Sequence, residues 1–480
     1  MSHRVTVLPL QQNMEAADGE NLLQALRRAG FAIDAPCGGN GSCGKCKVTV
    51  NGAEVLACRT AIHGDMTVVL PAAACASAPV VQAAAVSGTE EFFLAFDIGT
   101  TTVAGYLADG KTGRELASGS LRNPQTAFGA DVISRIQLAL RGHMGELTAA
   151  IRNCVSGLAR SLCEASGISC DTVTRVCIVG NPAMQQLFLG ICPENLARIP
   201  FSPVLTQAQT QKAGDCIPCC ADAELFIVPD ISGYVGADTV ACILATGMDK
   251  QENPALLVDI GTNGEMALGN THRMVACSTA AGPALEGAGI SMGMRGETGA
   301  IDHVWLENNR LRCSVIGGGT ALGICGSGLI DAVAAALDLG WLNSRGKILT
   351  EDALIHLTDT VALTQEDIRQ VQLAKGAIAA GIRLMAAHMG LTLEEIRTVY
   401  LAGAFGAHLN PRSACRIGLL PRELEEKITA VGNAAGIGAV QLACLPDAAA
   451  RAQAILDATE PLELASLPDF SRCFAKNMRF

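Results

Sequence analysis

Apolar residues along this chain gather into short runs that stop at a glycine and then resume. Residues 92–109, FFLAFDIGTTTVAGYLAD, and 255–269, ALLVDIGTNGEMALG, each read as a strand, a tight Gly-Thr turn and a returning antiparallel strand. Both place Asp-Ile-Gly-Thr directly after strand formers, and Asp97 and Asp259 lie 162 positions apart (259 minus 97), so the pair is an internal repeat. A third apolar strand, within TVYLAGAFGAHLNP (398–411), ends in Gly403-Ala-Phe-Gly406. Near the start, KVTVNGAEV alternates apolar and polar residues around Asn51-Gly52, which predicts a hairpin. Residues 68–86, VVLPAAACASAPVVQAAAV, carry no charge and approach membrane-spanning length. Two prolines, many alanines and no basic flank make this stretch an Ala/Pro linker, semi-extended and modestly stiff.

In a strand-turn-strand of this kind, backbone N–H groups and threonine hydroxyls converge on one spot and suit phosphate oxygens. The aspartate can hold Mg²⁺ through water. One copy is weak evidence, because D-x-G-T turns occur in plain hairpins, and duplicated hairpins without ligand remain the bland alternative. Two copies at domain-length separation predict two similar lobes facing a shared nucleotide. The small residues at Gly403 and Gly406 would let a flat base approach the backbone. Further glycine turns punctuate the region, at Gly180-Asn181-Pro182, Gly233 to Asp238, Gly317-Gly318-Gly319 and Gly326-Ser327-Gly328. None is a P-loop and no G-x-G-x-x-G opens a βαβ unit, which excludes the two commonest nucleotide-binding routes.

Cys37, Cys43, Cys46 and Cys58 are spaced C-x5-C-x2-C-x11-C. A 2Fe–2S cluster needs four thiolates, commonly three from one tight loop and one from a distal turn. Glycines at 38, 39, 41 and 44 let the backbone fold around inorganic sulfides and turn its N–H groups toward a negative core. Structural zinc is the alternative, but its four-cysteine sites come as two C-x2-C pairs, and only one such pair is present here. The chain has twenty cysteines in 480 residues and opens with the polar MSHRV, which favours reduced thiols and a cytoplasmic location. Cys216, Cys219 and Cys220 form a second tight group; with no fourth ligand nearby in sequence they read as loop thiols.

The formal net charge of −11 argues against a nucleic-acid partner. Residues 1–70 hold six basic and six acidic residues, so the excess negative charge lies in the remainder, and no opposite-charge field draws the two parts together.

With the Asp-Ile-Gly-Thr pair and Leu-Ala-Gly-Ala-Phe-Gly, the second part resembles the acetate/sugar kinase, Hsc70, actin superfamily. Joined to the four-cysteine segment, the chain resembles the ATP-dependent reductive activators of corrinoid proteins. NPQTAFGADVISRI (123–136), VGNPAMQQLFLG (179–190), SGYVGADTVA (232–241) and STAAGPALEGAGISMGMRGETGAI (278–301) fit the same family. The implied architecture is α/β. A small α+β ferredoxin-like (β-grasp) domain at 1–70 is followed by a linker at 71–91 and a two-lobed actin-like, duplicated ribonuclease H-like ATPase at 92–480. The lobes are 92–250 and 251–480. Longer relatives carry a middle domain between ferredoxin and ATPase, and only about twenty residues separate Leu70 from Phe92, so that middle domain is expected to be missing.

The resemblance implies reduction of a corrinoid protein from inactive Co(II) to Co(I) by an electron from the 2Fe–2S cluster. A plant-type cluster near roughly −400 mV makes the step uphill, each ~59 mV costing tenfold, which ATP-driven closure would offset. Cys37, Cys43, Cys46 and Cys58 would ligate the cluster. Asp97, Gly99, Thr100 and Thr101 would cradle phosphate and position Mg²⁺ in the first lobe; Asp259, Gly261, Thr262 and Asn263 would do so in the second. Gly403, Phe405 and Gly406 would border the adenosine. Asp238 and Glu265 are candidate water-positioning carboxylates, or solvated or capping residues. Asn181 and His408 read as structural. Implied partners are a corrinoid protein of a methyltransferase system and a low-potential electron donor, without nucleic acid or membrane and with room for a homodimer. Alternatives are a small-molecule kinase with a redox-sensing ferredoxin module, a nucleotide-gated scaffold, or a gated electron carrier like the dehydratase activators.

Overall fold

The computed structural model describes residues 2–480 apart from 9–11, 30, 32, 34, 36–38, 40, 42, 43, 45, 71–79, 84–90 and 404. Two compact units emerge. One comprises Met1–Leu205, Gln209–Ile227 and Leu442–Pro446; the other comprises Thr206–Ala208, Val228–Gln441 and Asp447–Phe480.

The first unit begins with strands β1 (Ser2–Leu8), β2 (Gln12–Ala17), β3 (Lys47–Val50), β4 (Ala53–Leu56) and β5 (Met66–Val69), in the order β2-β1-β5-β3-β4. β1 and β5 are parallel and the other neighbours antiparallel, a mixed β-grasp sheet. Alternation sets its inner face: Val5 and Val7 of β1, Val48 of β3 and Val68 of β5 are all buried. Against them helix α1 (Leu22–Arg28) buries Leu22, Leu23, Ala25 and Leu26. Asn21 starts that helix by accepting the Leu23 N–H at 3.1 Å. Asn51 and Gly52, at φ +47° and +89°, make the predicted β3–β4 hairpin turn.

The same unit holds a seven-stranded sheet: β6 (Val80–Ala83), β7 (Phe92–Ile98), β8 (Thr102–Asp109), β9 (Glu115–Arg122), β10 (Val173–Gly180), β11 (Gln209–Lys212) and β12 (Glu224–Ile227). Its order is β11-β12-β10-β7-β8-β9-β6. The predicted strand-turn-strand at Asp97 is the antiparallel pair β7–β8. β7 is apolar at almost every position because helices cover it, whereas a sheet with one wet face would alternate. Helix α2 (Val132–Leu138), α3 (Met144–Ala165) and α4 (Pro182–Leu189) pack Ile136, Ile151, Val155, Leu158 and Leu187 into this core. One part of the expected linker is ordered strand: β6 pairs antiparallel with β9 at the sheet edge.

The second unit opens with α5 (Ala237–Thr246), then β13 (Ala255–Ile260), β14 (Gly264–Gly269) and β15 (Met274–Thr279). A small sheet of β16 (Ala300–Glu307), β17 (Arg310–Val315) and β18 (Gly323–Ile324) and a hairpin of β19 (Ile355–His356) and β20 (Ala362–Leu363) follow. The main sheet is completed by β21 (Thr398–Ala402), β22 (Ile428–Gly432) and β23 (Thr459–Pro461), in the order β22-β21-β13-β14-β15-β23. The β13–β14 pair repeats β7–β8, as the sequence repeat predicts. Helices α6 (Gly326–Asp338) and α7 (Gln365–His388) bury Leu329, Val333, Ile378 and Ile382 beneath the sheet. Thr364 starts α7 with a capping box to Asp367.

Candidate functional site

The cysteine loop is built from the far end of the β-grasp sheet. β4 runs into a single 3₁₀ turn, Ala57–Arg59, which returns Cys58 against Cys46. The Ala57 N–H donates to the Cys46 carbonyl at 2.8 Å, and the Asn21 amide donates to the Cys58 carbonyl at 2.9 Å. Cys46 Sγ and Cys58 Sγ end up 3.2 Å apart, with Cys46 buried and Cys58 half-buried. Two thiolates on one tetrahedral metal stand about 3.8 Å apart with bonds near 2.3 Å, so this pair needs little widening to share one. Gly39 and Gly41 have φ of +88° and +82°; a Cβ at 41 would lie 2.2 Å from Arg59 Nε. Only glycine fits such a loop. Cys37 and Cys43, the other two expected ligands, lie outside the described residues. The donor set that is described suits an iron–sulfur cluster.

In the first Asp-Ile-Gly-Thr turn the Gly99 N–H closes on the Thr102 carbonyl at 3.0 Å. Three residues from elsewhere hold that turn. Asn123 donates its amide to the Gly99 carbonyl at 2.8 Å. Arg135 donates to the Thr100 carbonyl at 2.6 Å and to the Gly129 carbonyl at 3.0 Å. Asn181 donates to Thr100 Oγ1 at 3.1 Å while accepting the Met184 N–H at the start of α4. Burial pushes the Arg135 guanidinium down to about 9, still charged at neutral pH. Asp97, at the end of β7, and Thr101 are half-buried beside this turn.

Asn123 and Arg135 were not singled out from sequence. An arginine between Val132 and Ile136, on a face that must be apolar, was the available signal. The neighbouring Phe128 ring meets the cysteine domain, with the Arg27 guanidinium 5.0 Å from its centroid.

The second turn is closed by the Gly261 N–H to the Asn263 carbonyl at 2.9 Å, and Thr262 Oγ1 donates to Glu286 at 3.3 Å. Beneath it lies a group of carboxylates. Asp259 ends β13, Glu265 follows on β14, Asp238 sits in the first turn of α5, and Asp230 is 1% exposed just after β12. Burial pushes Asp259 up to about 7, with the Asp238 charge adding to it and a Cys242 thiol hydrogen bond opposing. Burial likewise lifts Asp238 to about 6 and raises Glu265 and Asp230 well above the ordinary range, the last two helped by the Asp238 charge. Asp230 Oδ2 is buried without a hydrogen-bond partner among the described residues. Acids that raise one another's affinity for protons, with an orphaned oxygen, form a donor set suited to a hydrated hard cation. Asp230 and Glu286 escaped the sequence reading; Pro229-Asp230 at a strand end was the missed signal.

Gly403 follows β21 and stands beside this group, its N–H donating to the Gly432 carbonyl at 3.0 Å. The half-buried Phe405 ring rests on Gly326 at the start of α6, where a Cβ would lie 2.6 Å from Cε2. Gly406 is buried, whereas His408 is exposed in a short 3₁₀ turn. Four of the sequence-predicted residues, Asp238, Asp259, Glu265 and Gly403, thus come together in the second unit.

Known families fit this geometry. Residues 5–80 match the 2Fe-2S iron-sulfur cluster binding domain, 92–251 the RACo middle region, and 253–480 the C-terminal domain of RACo, the ASKHA domain. The corrinoid activation enzyme RamQ of Eubacterium limosum is 36% identical over 416 residues, covering 81% of this chain and 70% of that protein. The chain belongs to the family of reductive activators of corrinoid proteins. Another member, the [Co(II) methylated amine-specific corrinoid protein] reductase of Methanosarcina barkeri, is 30% identical over 55% of each chain. A solved structure of a reductive activator for corrinoid, iron-sulfur protein superposes with a TM-score of 0.74 at 28% identity, over 100% of this chain and 98% of that one.

These matches correct one expectation. The activators' middle region is present, at 92–251, in the stretch read from sequence as the first ATPase lobe. Short spacing between Leu70 and Phe92 was mistaken for its loss. The activator therefore carries an iron–sulfur ferredoxin domain and a nucleotide-binding ASKHA domain. Among the described residues no helix is long and apolar enough to cross a membrane.

Proposed function

We propose that this activator reduces the inactive Co(II) state of a methyltransferase corrinoid protein to Co(I), one electron at a time and at the expense of Mg-ATP. The observation that carries the reading is the union, in one chain, of the paired Cys46 and Cys58 thiols with the carboxylate-lined turn at Asp259. Bound by Cys37, Cys43, Cys46 and Cys58, a 2Fe–2S cluster supplies a one-electron centre of low potential.

In this reading the protein's own groups do the rest. Backbone N–H groups and hydroxyls at Gly99, Thr100, Thr101, Gly261, Thr262 and Asn263 bind phosphate oxygens. Asp97, Asp259, Asp238 and Glu265 hold Mg²⁺ through its waters or orient the attacking water. Gly403, Phe405 and Gly406 border the adenine. Mg²⁺ would draw protons off Asp238 and Asp259, so the charged acids become its partners. The cluster, held by these cysteines, would take its electron from a low-potential donor. A cytoplasmic setting suits both the free thiols and this partner.

The test uses a Co(II) corrinoid protein, a low-potential reductant and the full chain, followed by the visible spectrum of Co(I) or of its methylated product. Activation should need both the chain and Mg-ATP. Asp259→Ala should keep its cluster absorption and fail, and Cys46→Ser should bind nucleotide and fail. Equal activation without ATP would overturn the proposal.

A further inference from the structure

The thiols of Cys216, Cys219 and Cys220 lack a partner nearby in sequence, yet the fold supplies one. Cys170 opens a 3₁₀ turn (Cys170–Thr172) after α3, and Cys219 and Cys220 sit in another (Pro218–Cys220). The two turns place the sulfurs of Cys170, Cys219 and Cys220 all within 4.8 Å of one another, with Cys219 and Cys220 4.0 Å apart. Cys163, in the last turn of α3, stands near the Cys170 thiol. Cys163 and Cys220 are each 1% exposed, while Cys170 and Cys219 are half-buried, so the group is sheltered but reachable.

We propose that Cys170, Cys219 and Cys220, with Cys163 as the fourth thiol, bind a thiophilic d¹⁰ ion of the zinc class in the first unit. Sulfurs on one tetrahedral zinc lie about 3.8 Å apart with bonds of about 2.3 Å, which the Cys219–Cys220 pair already meets. The side-chain ligands brought together are all thiols, so a soft ion is selected over Mg²⁺. Such an ion would be structural: it fastens two short turns from separate parts of the chain to the end of α3. No ligand for it comes from the cluster loop, so it is independent of the electron-transfer site.

The test loads the full-length, cluster-bearing protein anaerobically with Zn²⁺, desalts it and measures zinc and iron together. About one zinc per chain should remain beyond the cluster iron. The triple variant Cys170→Ser/Cys219→Ser/Cys220→Ser should lose that zinc and keep its iron and visible absorption, while Cys192→Ser, at an exposed thiol, should retain both. Because the triple variant could misfold, alkylation of the parent protein gives a second readout. Peptide mapping should find Cys170 and Cys219 protected with zinc and labelled at least tenfold faster after a chelator. Failure to retain zinc, retention unchanged in a folded triple variant, labelling indifferent to the chelator, or an intact mass showing these thiols joined as a disulfide would each overturn the proposal.

Discussion

Gly403 stands directly behind the carboxylate of Asp259: a Cβ at position 403 would lie 2.6 Å from Oδ1 and 2.9 Å from the Ile260 carbonyl oxygen. The parallel pairing of β13 with β21, with Asp259 opposite Ala402, brings them together. Gly403 also has φ of +90°, where a side chain is strained. The Gly403 segment and the Asp259 carboxylate are therefore set by one backbone contact.

Gly403→Ala should displace Asp259. The expected outcome is at least tenfold weaker Mg-ATP binding, about 1–3 kcal/mol of lost stability, and an unchanged cluster spectrum. Calorimetric titration with nucleotide measures it, and affinity equal to the parent's would show that the contact plays no part.

Arg135→Met should leave the Thr100 and Gly129 carbonyls without their donor in a site that excludes water. A loss of about 2–4 kcal/mol in denaturant unfolding is expected, with ATP turnover falling as the first turn loosens. Asn181→Ala, which removes a cap as well as the Thr100 hydroxyl bond, should cost about 1–2 kcal/mol. Stabilities indistinguishable from the parent's would mean that the turn holds its shape unaided.

Asp238 and Asp259 hold protons in the folded state at pH values where the unfolded chain has released them. The native state then binds more protons, so stability falls as pH rises. With a chelator present, the melting temperature should drop between about pH 4 and pH 7, the window between an ordinary carboxylate and these raised ones. Mg²⁺ with nucleotide should reverse the drop and release protons on binding. The double variant Asp238→Asn/Asp259→Asn should flatten the profile relative to the parent; identical profiles would place the titration elsewhere.

Cys46→Ser and Cys58→Ser remove one thiolate each from the 3.2 Å pair. Both variants should lose most of the visible absorption and iron, since alkoxide is a poor match for cluster iron, while melting of the ATPase part and nucleotide affinity stay within error. Full iron content in either variant would reassign that ligand.

The strand-turn-strand repeats were legible because their signal is local: an apolar run, a glycine and a second run need nothing from the rest of the chain. The hairpin at Asn51-Gly52 was legible for the same reason. The residues that hold those turns were not. Asn123 and Arg135 reach Gly99 and Thr100 only because β9 and α2 pack there, and an asparagine before a proline looks like any helix start. Asp230 accepts the Ala237 N–H at 3.3 Å and comes beside Asp238 only because the loop after β12 folds back onto the start of α5. Cys170 joins Cys219 and Cys220 across two strands and a helix, so spacing along the chain could not reveal it. The Ala/Pro stretch was read from composition alone, which gave no sign that Val80–Ala83 would find an unpaired edge beside β9.

That edge strand sets an upper bound on separation. β5 ends at Val69 and Leu70 is buried in the β-grasp core, whereas Val80 is already stitched to the sheet edge. Between them lie only residues 71–79, ten Cα–Cα steps that reach about 35 Å when drawn straight. Within their common compact unit, the Arg27–Phe128 contact holds the two, and were it to open, the cysteine domain would stay within that distance of the sheet edge. Any protein accepting its electron must come within that radius of the sheet edge, and inserted residues, which lengthen this connection without touching either domain, should change how often such meetings occur.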